Sequence, residues 1–488
     1  MPISPKLGPE PAAANMADIA PCYTPQGAVV EASRCLFCFD APCIQACPTG
    51  IDIPSFIKKI VTGNLIGSAR VILSANILGG SCARVCPTEV LCEGACVVLD
   101  REGDPVKIGR LQRYATDHAL QNRLSVLKAP DRKSGRRVAV IGGGPAGLGC
   151  AAELAHLSYE VVVFEKKPQA GGLNTYGIAY YKMKPEVSLA EAAMIQGLGV
   201  EFRCGVEVGR DLPVEQIRKN FDALFLGLGL GKGARLNVPG EGLPEVVEAL
   251  EFIEQVHTRP LHQVPVGDRV AVIGGGNTAI DAVTQARRLG ARDAVIVYRR
   301  SQAEMPAYDF EQKLARTDGA RLLFNVVPLE ILSGGTGHVT GLKLARTAST
   351  NGKLETLAGS EFTEPFDMVI KAIGEEKQVD VFNKLFPALA LDKRGVVVRN
   401  PDTGQTNIPG VFAGGDCANG GREVVNAVAE GKKAARGIHT FLTGQQVTGP
   451  TQASRYGVKG LPVGSGFDRP IRVRELEEEH AKRQRSSG

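Results

Sequence analysis

The sequence predicts an α/β fold in which a mostly helical N-terminal domain precedes two domains built on parallel strands. Three observations support this fold class. Eight of the twelve cysteines lie between Cys35 and Cys96, in a segment with short helical patterns. Two later segments, beginning at Val138 and Val270, repeat a strand, a glycine-rich turn and a helix. A third turn of this kind follows a short apolar strand at Gly414.

Composition excludes several classes of protein. The 488 residues are 43% hydrophobic and 22% charged, which is typical of a protein with two to four domains and large cores. The net charge of +5 is too small and too dispersed to predict nucleic-acid binding. No signal-peptide pattern and no stretch of roughly 18 apolar residues is present. We therefore expect a cytoplasmic protein that does not bind membranes, in which clustered cysteines are ligands rather than disulfides.

The changes in pattern along the chain predict its domains. We expect a loose arm at 1–30 and then a helical cysteine-rich domain at 31–127. An FAD-binding domain follows in two parts, 136–255 and 365–445, and an NAD(P)H-binding domain is inserted between them at 256–364. A charged C-terminal extension occupies 446–488. The polar stretch KAPDRKSGRR separates the helical domain from the first strand and is typical of a linker.

The first glycine-rich turn is predicted to bind a dinucleotide. It follows the strand from Val138 to Ile141 and precedes a helix and a second strand that ends at Glu165. Glycine lets the backbone turn tightly, approach a pyrophosphate and pack the helix closely on the sheet. The terminal glutamate can then accept hydrogen bonds from ribose hydroxyls. The residues of this turn are Gly142, Gly143, Gly144, Pro145, Ala146 and Gly147.

The second turn has the same context but a different strand end. Its residues are Gly274, Gly275, Gly276, Asn277 and Thr278. The next strand ends in Tyr298, Arg299 and Arg300 instead of an acid. Arginines at this place can pair with a 2′-phosphate, which favours NADP(H) over NAD(H). The alternative is that both arginines are solvated charges at a strand end.

Two Rossmann-like domains, one for FAD and one for a nicotinamide nucleotide, are typical of flavin reductases. The Gly415-Asp416 turn supports this interpretation. In that class of enzymes, an aspartate after such a strand contacts the ribityl chain or the pyrophosphate of the flavin. Hydride transfer to a flavin depends on stacking and orientation more than on an acid or base, so we assign no catalytic residue. Neither nucleotide domain contains a Cys-x-x-Cys pair, which disfavours thioredoxin-reductase chemistry.

The clustered cysteines are predicted to hold metal. They fall into two groups, CLFCFDAPCIQACP and CARVCPTEVLCEGAC. Paired spacings within them suit structural zinc, which stays open on spacing alone, and a redox-silent cysteine core is the other alternative. The first group, however, is typical of iron–sulfur ligand runs. Fusion to a flavin reductase favours two 4Fe-4S clusters, because a flavin accepts two electrons whereas clusters pass on one at a time. Spacing alone would use all eight cysteines, four at each site.

These motifs, together with DPVKIGRLQRYATDHA, resemble the N-terminal electron-input half of dihydropyrimidine dehydrogenase. In bacteria that half is a separate subunit of the PreT type, and the chain more distantly resembles the small subunit of glutamate synthase. The resemblance covers roughly residues 30–442. It implies that one cluster is held by Cys35, Cys38, Cys43 and Cys96, and the other by Cys47, Cys86, Cys92 and Gln112. Cys82 would then not be a ligand.

The resemblance also implies further cofactor contacts. For FAD it adds Gly172, Leu173 and Lys182 to the first turn, Glu165, Gly415 and Asp416. Lys182 stands where animal members of the family have arginine. For the nicotinamide nucleotide it adds Ala372, Ile373 and Gly374. A further arginine of the animal enzyme has no clear counterpart in SQAEMPA, so NAD(H) also stays open.

We expect an NAD(P)H-dependent oxidoreductase subunit that passes electrons through FAD and two 4Fe-4S clusters to a partner. By the resemblance, the partner is an FMN-containing, PreA-like subunit that reduces uracil or thymine within a hetero-oligomer, and TGIDIPSFI favours this branch. The residues after 442 are too few for an FMN-binding barrel, which needs at least about 200 residues. Alternatives are the small subunit of glutamate synthase, a reductase that feeds ferredoxin, and a non-enzymatic cluster sensor, which two intact nucleotide turns disfavour.

Overall fold

A computed structural model describes residues 3–128, 130–350 and 353–447. It confirms the predicted fold class, because a helical N-terminal segment precedes two five-stranded parallel sheets. The helices are α1 (Pro9–Asn15), α2 (Pro25–Ser33), α3 (Pro42–Gln45), α4 (Ile53–Val61), α5 (Leu65–Ala75), α6 (Gly79–Val85), α7 (Val97–Glu102), α8 (Ile108–Gln121), α9 (Pro145–His156), α10 (Leu173–Tyr176), α11 (Pro185–Gly197), α12 (Val214–Asn220), α13 (Ala249–Thr258), α14 (Asn277–Arg288), α15 (Asp309–Thr317), α16 (Val379–Leu385), α17 (Asp416–Asn419) and α18 (Val424–Thr443). The strands are β1 (Arg137–Ile141), β2 (Glu160–Glu165), β3 (Glu201–Cys204), β4 (Ala223–Leu226), β5 (Val246–Glu248), β6 (Arg269–Ile273), β7 (Asp293–Tyr298), β8 (Arg321–Phe324), β9 (Val326–Ser333), β10 (Val339–Thr350), β11 (Lys353–Thr356), β12 (Phe362–Glu364), β13 (Met368–Lys371) and β14 (Val411–Ala413).

Helices α1 and α2 occupy the segment for which the sequence suggested a loose arm. Each begins at a proline, Pro9 and Pro25. Proline is favoured at the first helical position, because the N–H that it lacks would have no partner there. The hydroxyl oxygen of Thr24 caps α2 by accepting a hydrogen bond from the N–H of Gly27. The prolines of this segment therefore start helices instead of indicating irregular chain.

The described chain forms two compact units. One unit contains the described residues of Met1–Ile19, Gly172–Glu186 and Leu230–Gln378, and the other contains those of Ala20–Gly171, Val187–Gly229 and Val379–Gly488. The sequence placed the domain boundaries near residues 255 and 365, so that β5 and β13 fell in the first nucleotide-binding domain. The structure instead pairs β13 with β6 and β5 with β13, all in parallel. Both strands therefore belong to the second sheet.

The first sheet lies in the unit that also contains α2–α8. Its strand order is β14-β4-β1-β2-β3, and all its pairings are parallel. Val138, Val140 and Phe225 are completely buried beneath the helices. Because the strands are parallel, their carboxyl ends share one edge. The turns that follow β1, β2 and β14 consequently meet there.

The second sheet lies in the other unit and has the order β5-β13-β6-β7-β8, again with parallel pairings. Its buried residues include Val270, Val272 and Ile296, which pack with Ala282 and Val283 of α14. Strands β9–β12 form a smaller antiparallel sheet that the sequence did not predict. The strand order changes direction at β6, where the second glycine-rich turn begins.

Among the described helices, none is by itself long and apolar enough to cross a membrane; α5 and α6, which meet at a bend of 85°, satisfy length and composition only when taken together.

Candidate functional site

The first glycine-rich turn connects β1 to α9 at the carboxyl edge of the first sheet. Gly142 has a φ of +104°, and a Cβ on it would lie 2.3 Å from the carbonyl oxygen of Gly227. A Cβ on Gly147 would lie 2.0 Å from the carbonyl oxygen of Gly142. Both positions therefore require glycine. Gly144 is the N-cap of α9, so the positive end of the helix dipole is directed to where a pyrophosphate would bind.

Glu165 ends β2 beside this turn. Its Oε2 accepts a hydrogen bond from the N–H of Gly143 at 2.7 Å, and its Oε1 accepts one from the N–H of Lys167 at 2.7 Å. The residue is only 6% exposed. Each carboxylate oxygen can accept more than one hydrogen bond. The two backbone donors therefore fix the orientation of the carboxylate and leave acceptor capacity for ribose hydroxyls.

The Gly415-Asp416 turn contacts the first glycine-rich turn within the same unit. Gly415 has a φ of +74°, and a Cβ on it would lie 2.7 Å from the Cβ of Ala146. Its N–H donates to Oε2 of Glu430 at 2.8 Å. Asp416 begins α17 and accepts a hydrogen bond from the N–H of Arg422 at 3.2 Å. The first glycine-rich turn and the Gly415-Asp416 turn, which are distant in sequence, thus pack together into one cradle. Larger side chains at its glycines would collide with neighbouring atoms. This cradle fits a dinucleotide such as FAD.

Three other residues predicted to contact FAD lie in the unit that contains the second sheet. Gly172 is the N-cap of α10 with a φ of +56°, and Leu173 is 45% exposed. The Nζ of Lys182 lies 2.6 Å from Oδ1 of Asp281 and also contacts Glu311. Burial opposes the charge of Lys182, but the two carboxylates outweigh burial and raise its pKa. A flavin contact by Lys182 stays a prediction, and its ammonium group has two protein partners here.

A cavity of about 740 Å³ opens at the carboxyl edge of the second sheet. The predicted nucleotide-binding residues that line it are Gly274, Gly275, Gly276, Thr278, Arg299, Arg300, Ala372, Ile373 and Gly374. A Cβ on Gly274 would lie 2.1 Å from the carbonyl oxygen of Ala372, whereas no atom lies within 4 Å of a Cβ on Gly276. Asn277 is beside the cavity and accepts a hydrogen bond from the N–H of Tyr308. The volume and the open space at the start of α14 fit a nicotinamide dinucleotide.

The two arginines after β7 differ in their surroundings. Nη1 of Arg300 lies 3.3 Å from Oε1 of Glu304. Ser301 donates to the other carboxylate oxygen of Glu304 through both its N–H and its hydroxyl group, which lowers the pKa of Glu304. Arg299 is exposed, and its side chain forms no ion pair with any residue that the structure describes. Arg299 is therefore the more available cation for a 2′-phosphate.

Sequence reasoning missed several residues that line this cavity. They include Gly233, Ala234, Arg235 and Leu236, and the charged residues Glu248, Glu304, Lys371 and Glu375. Two of these had a local signal. Lys371 directly precedes Ala372, and Ser301 with Glu304 has the spacing of a capping box, which the structure confirms. Glu248 had no such signal, because it is more than 100 residues from Lys371 in sequence.

Four cysteines of the N-terminal helical segment surround one small cavity. Cys35, Cys38, Cys43 and Cys96 line it together with apolar residues that include Ile57. Burial raises the pKa of Cys35 to about 11 and also raises that of Cys43. Such thiols need a nearby positive charge to become thiolates, and iron or another metal provides one. Four soft sulfur donors around one cavity fit an iron–sulfur cluster.

The other clustered cysteines form a second group. A hydrogen bond with the Cys82 thiol and burial raise the pKa of Cys86, and the nearby Cys92 and Cys47 add to this effect. Burial likewise raises the pKa of Cys92. Within residues 3–128, 130–350 and 353–447, no three His, Cys, Asp or Glu side chains are arranged to hold a metal ion. The structure brings the clustered cysteines together in two groups. It does not identify which of them bind metal, so the ligand sets stay predictions.

Gln112 lies on α8 and contacts α6. Its Nε2 donates to the carbonyl oxygen of Gly79 at 2.7 Å, and the residue is only 6% exposed. Gly79 begins the helix that carries Cys82 and has Cys86 as its C-cap. The structure therefore places Gln112 against the first residue of the helix that carries Cys82. Whether Gln112 or Cys82 completes the ligand set stays a prediction.

Two protein families match the sequence. Residues 136–431 match the pyridine nucleotide-disulphide oxidoreductase family. Residues 12–124 match a family described as domain II of dihydropyrimidine dehydrogenase, with a 4Fe-4S cluster. The first match includes both glycine-rich turns, and the second includes all eight clustered cysteines.

Individual relatives extend over most of the chain. The glutamate synthase (NADPH) small chain of Escherichia coli is 36% identical over 435 residues, which are 85% of this chain and 91% of the relative. The PreT subunit of NAD-dependent dihydropyrimidine dehydrogenase from the same species is 34% identical over 427 residues, which are 88% of this chain and 97% of the relative. Among solved structures, Mycobacterium tuberculosis FprA in complex with NADPH has a TM-score of 0.52 at 20% identity and covers 66% of this chain and 89% of its own. This last likeness concerns the fold alone.

Proposed function

The chain belongs to the pyridine nucleotide-disulphide oxidoreductase family, together with PreT and glutamate synthase small chains, and on this premise we propose that it is the electron-input subunit of a larger enzyme. It would oxidise NAD(P)H and deliver single electrons to a partner protein. One observation carries this proposal: a single chain contains a flavin cradle, a nucleotide cavity and two groups of cysteines. A sensor that only held clusters would not need the two nucleotide sites.

The residues of each site have separate roles. Gly142 and Gly147 allow the backbone to approach the flavin pyrophosphate, and Glu165 orients the ribose. The second glycine-rich turn and Arg299 hold the nicotinamide nucleotide in the cavity at the carboxyl edge of the second sheet. The two cysteine groups would hold two 4Fe-4S clusters. When bound, FAD accepts two electrons as a hydride and 4Fe-4S clusters accept one electron each, so together they convert a two-electron donor into single electrons.

A partner protein is supported by the surface beside the first cysteine group. Leu36 and Phe39 are 47% and 48% exposed, and Phe37, between Cys35 and Cys38, has a φ of +50° and is 36% exposed. Adjacent apolar side chains at the surface are typical of sites that a partner covers. We propose that the electron acceptor docks on this surface, which consists of Leu36, Phe37 and Phe39.

The proposed acceptor is an FMN-containing subunit that reduces uracil or thymine. No sheet in the described part of the chain closes into a barrel, so pyrimidine reduction would need the partner. The large subunit of glutamate synthase is the second candidate, because its small chains are as similar to this sequence as PreT is. The segment TGIDIPSFI does not decide between them: Asp52 caps α4, and Ile53, Phe56 and Ile57 are buried, so packing explains these residues.

Dye reduction tests the enzymatic part of the proposal. The purified chain should reduce a one-electron dye with NADH or NADPH and should not reduce uracil alone. Gly147→Ala should lose bound FAD and dye reduction, because its Cβ would lie 2.0 Å from the carbonyl oxygen of Gly142. Gly197→Ala is the matched control, since no atom lies within 4 Å of its Cβ. Absence of turnover in the FAD-loaded wild type would contradict the proposal.

Reconstitution tests the identity of the acceptor. The chain is mixed either with an FMN-containing dihydropyrimidine dehydrogenase subunit or with a glutamate synthase large subunit. NAD(P)H-dependent formation of dihydrouracil or of glutamate then identifies the branch. Formation of glutamate alone would overturn the pyrimidine assignment, and pyrimidine reduction without any partner would overturn the division between subunits.

A further inference from the structure

The nucleotide cavity has two ends that differ in chemistry. The second glycine-rich turn follows β6, and Arg299 follows the neighbouring strand β7. In dinucleotide-binding sheets the pyrophosphate binds at the glycine turn and the adenosine ribose binds at the end of the next strand. The nicotinamide half must therefore extend in the opposite direction, over the ends of β13 and β5. These strands end at Lys371 and Glu248, and both residues line the cavity.

Lys371 is held between two carboxylates. Its Nζ lies 2.7 Å from Oε1 of Glu241 and 2.9 Å from Oε1 of Glu248, and its side chain is 8% exposed. Burial opposes its charge, but the two carboxylates outweigh burial and raise the pKa of Lys371. Glu241 also accepts hydrogen bonds from the N–H groups of Leu236 and Asn237. The ion-paired triad therefore carries a net charge of about −1, and both oxygens of Glu241 already accept hydrogen bonds from the protein.

Glu248 has one oxygen available. Its Oε1 pairs with Lys371, whereas Oε2 forms no hydrogen bond with any residue of the described chain. A Cβ on Gly233 would lie 1.5 Å from this Oε2, so glycine at 233 makes room for the carboxylate. The Glu248 side chain is 29% exposed, more than its two partners. The carboxylate of Glu248, held in position by Lys371, therefore lines the cavity at its nicotinamide end.

We propose that Glu248 distinguishes the oxidised from the reduced nucleotide and binds the oxidised form more tightly. This inference rests on the proposed use of the cavity for a nicotinamide dinucleotide. The nicotinamide ring is a cation in NAD(P)⁺ and neutral in NAD(P)H. A carboxylate held near the ring attracts the cation and has little effect on the neutral form. NAD(P)H that gives its hydride, a proton with two electrons, to FAD becomes this cation.

Glu248 thereby favours donation of the hydride over its return. A protein group shifts the equilibrium between two bound forms of a nucleotide only by the difference in its interaction energy with them. Here that difference arises at the nicotinamide ring, which is charged in one form and neutral in the other. Lys371 fixes the position of the carboxylate without cancelling the charge of the triad. Replacing Glu248 by glutamine should keep the shape of the side chain and remove the charge. We expect about a tenfold loss of affinity for the oxidised nucleotide.

The test measures binding to the oxidised holoenzyme by calorimetry. Three ligands are compared: NAD⁺, 1,4,5,6-tetrahydro-NAD and ADP-ribose. The tetrahydro analogue has a neutral ring and cannot donate a hydride, and ADP-ribose lacks nicotinamide. If the wild type prefers NADP(H), the 2′-phosphorylated forms of the three ligands are used. In Glu248→Gln, Kd for NAD⁺ should rise about tenfold, whereas the other two Kd values should change by less than about twofold. Glu251→Gln, exposed on the same helix α13, should change none of them.

The outcomes separate this inference from the function on which it rests. Equal weakening of NAD⁺ and the tetrahydro analogue in Glu248→Gln would show a merely structural role and overturn the inference. Unchanged affinity for all ligands would also overturn it and would leave the nucleotide site in place. If wild-type holoenzyme bound none of the three ligands, the proposed function itself would be wrong.

Discussion

Glu191 offers the sharpest test of how burial and hydrogen bonding compete in this chain. It lies on α11 and is completely buried. Its Oε1 accepts hydrogen bonds from the N–H groups of Gly80 and Ser81 at 2.7 and 3.0 Å, and its Oε2 accepts one from the hydroxyl group of Ser81. These donors belong to the first turn of α6, the helix that carries Cys82. Glu191 therefore ties α11 to the second cysteine group.

Burial raises the pKa of Glu191 from 4.5 to about 7, although the hydrogen bonds from Ser81 and Gly80 oppose the change. A shift of this size corresponds to about 3 kcal/mol. The folded state binds the proton more tightly than the unfolded state does. The contribution of Glu191 to stability is therefore complete below about pH 4.5 and decreases as the pH rises through about 7.

Glu191→Gln should remove this pH dependence. The amide oxygen can still accept from both N–H groups, and the amide nitrogen can donate to the Ser81 hydroxyl oxygen. The variant should be more stable than the wild type by up to about 3 kcal/mol at pH 8.5, and the difference should diminish towards pH 5.5. Glu191→Ala should be less stable at every pH, because it leaves buried donors unpaired, each costing about 1–3 kcal/mol.

The assay is the difference in thermal midpoint between each variant and the wild-type holoprotein from pH 5.5 to 8.5. Taking the difference removes the titration of groups that all the proteins share. Glu186→Gln is the control, because Glu186 is exposed on the same helix. If Glu191→Gln lost the same stability at both ends of the pH range, the carboxylate would be ionised and stabilised by its donors. Hydrogen bonding, and not burial, would then control the pKa of Glu191.

Three further outcomes are expected. Cys82→Ser should leave the iron content of the purified protein unchanged, whereas Cys86→Ser should lose a cluster; loss of a cluster in both would favour the all-cysteine ligand set. Arg299→Ala should raise KM for NADPH about tenfold and change KM for NADH by less than about twofold, and equal effects would identify a solvated charge. Phe39→Ser should lower electron transfer to a protein acceptor by about threefold or more without changing dye reduction. Leu357→Ser, similarly exposed at 45%, is its control and should change neither rate.

The elements most accurately predicted are those that local chemistry determines. The sequence placed the first strand at Val138 to Ile141 and the end of the second at Glu165, and the structure has Arg137–Ile141 and Glu160–Glu165. An apolar run followed by closely spaced glycines suffices for these elements, because the turn after the first strand excludes every larger side chain at Gly142. Short-range sterics thus determine the βαβ units almost completely.

Partners distant in sequence could not be predicted in the same way. Spacing alone did not show that Cys96 lies with Cys35, Cys38 and Cys43; the resemblance implied this grouping, and the structure places all four around one cavity. The four cysteines belong to one apolar cluster that includes Ile57 of α4 and Ile108 of α8, so their grouping depends on buried apolar contacts rather than on cysteine spacing. The same applies to Lys182, whose carboxylate partners Asp281 and Glu311 lie on other helices.

The misplaced domain boundary and the missed cavity residues have one cause. β5 and β13 are short apolar strands, and their composition suits either parallel sheet. Strand pairing decides to which sheet they belong: Val369 of β13 pairs with Ala271 of β6 on one side and with Val246 of β5 on the other. This pairing brings the ends of both strands to the edge where the second glycine-rich turn lies, so Glu248 and Lys371 reach the nucleotide cavity. Had these strands joined the first sheet, no carboxylate from β5 would line the nucleotide cavity. The proposed preference for the oxidised nucleotide therefore depends on strand pairing between segments more than 100 residues apart, which no local pattern specifies.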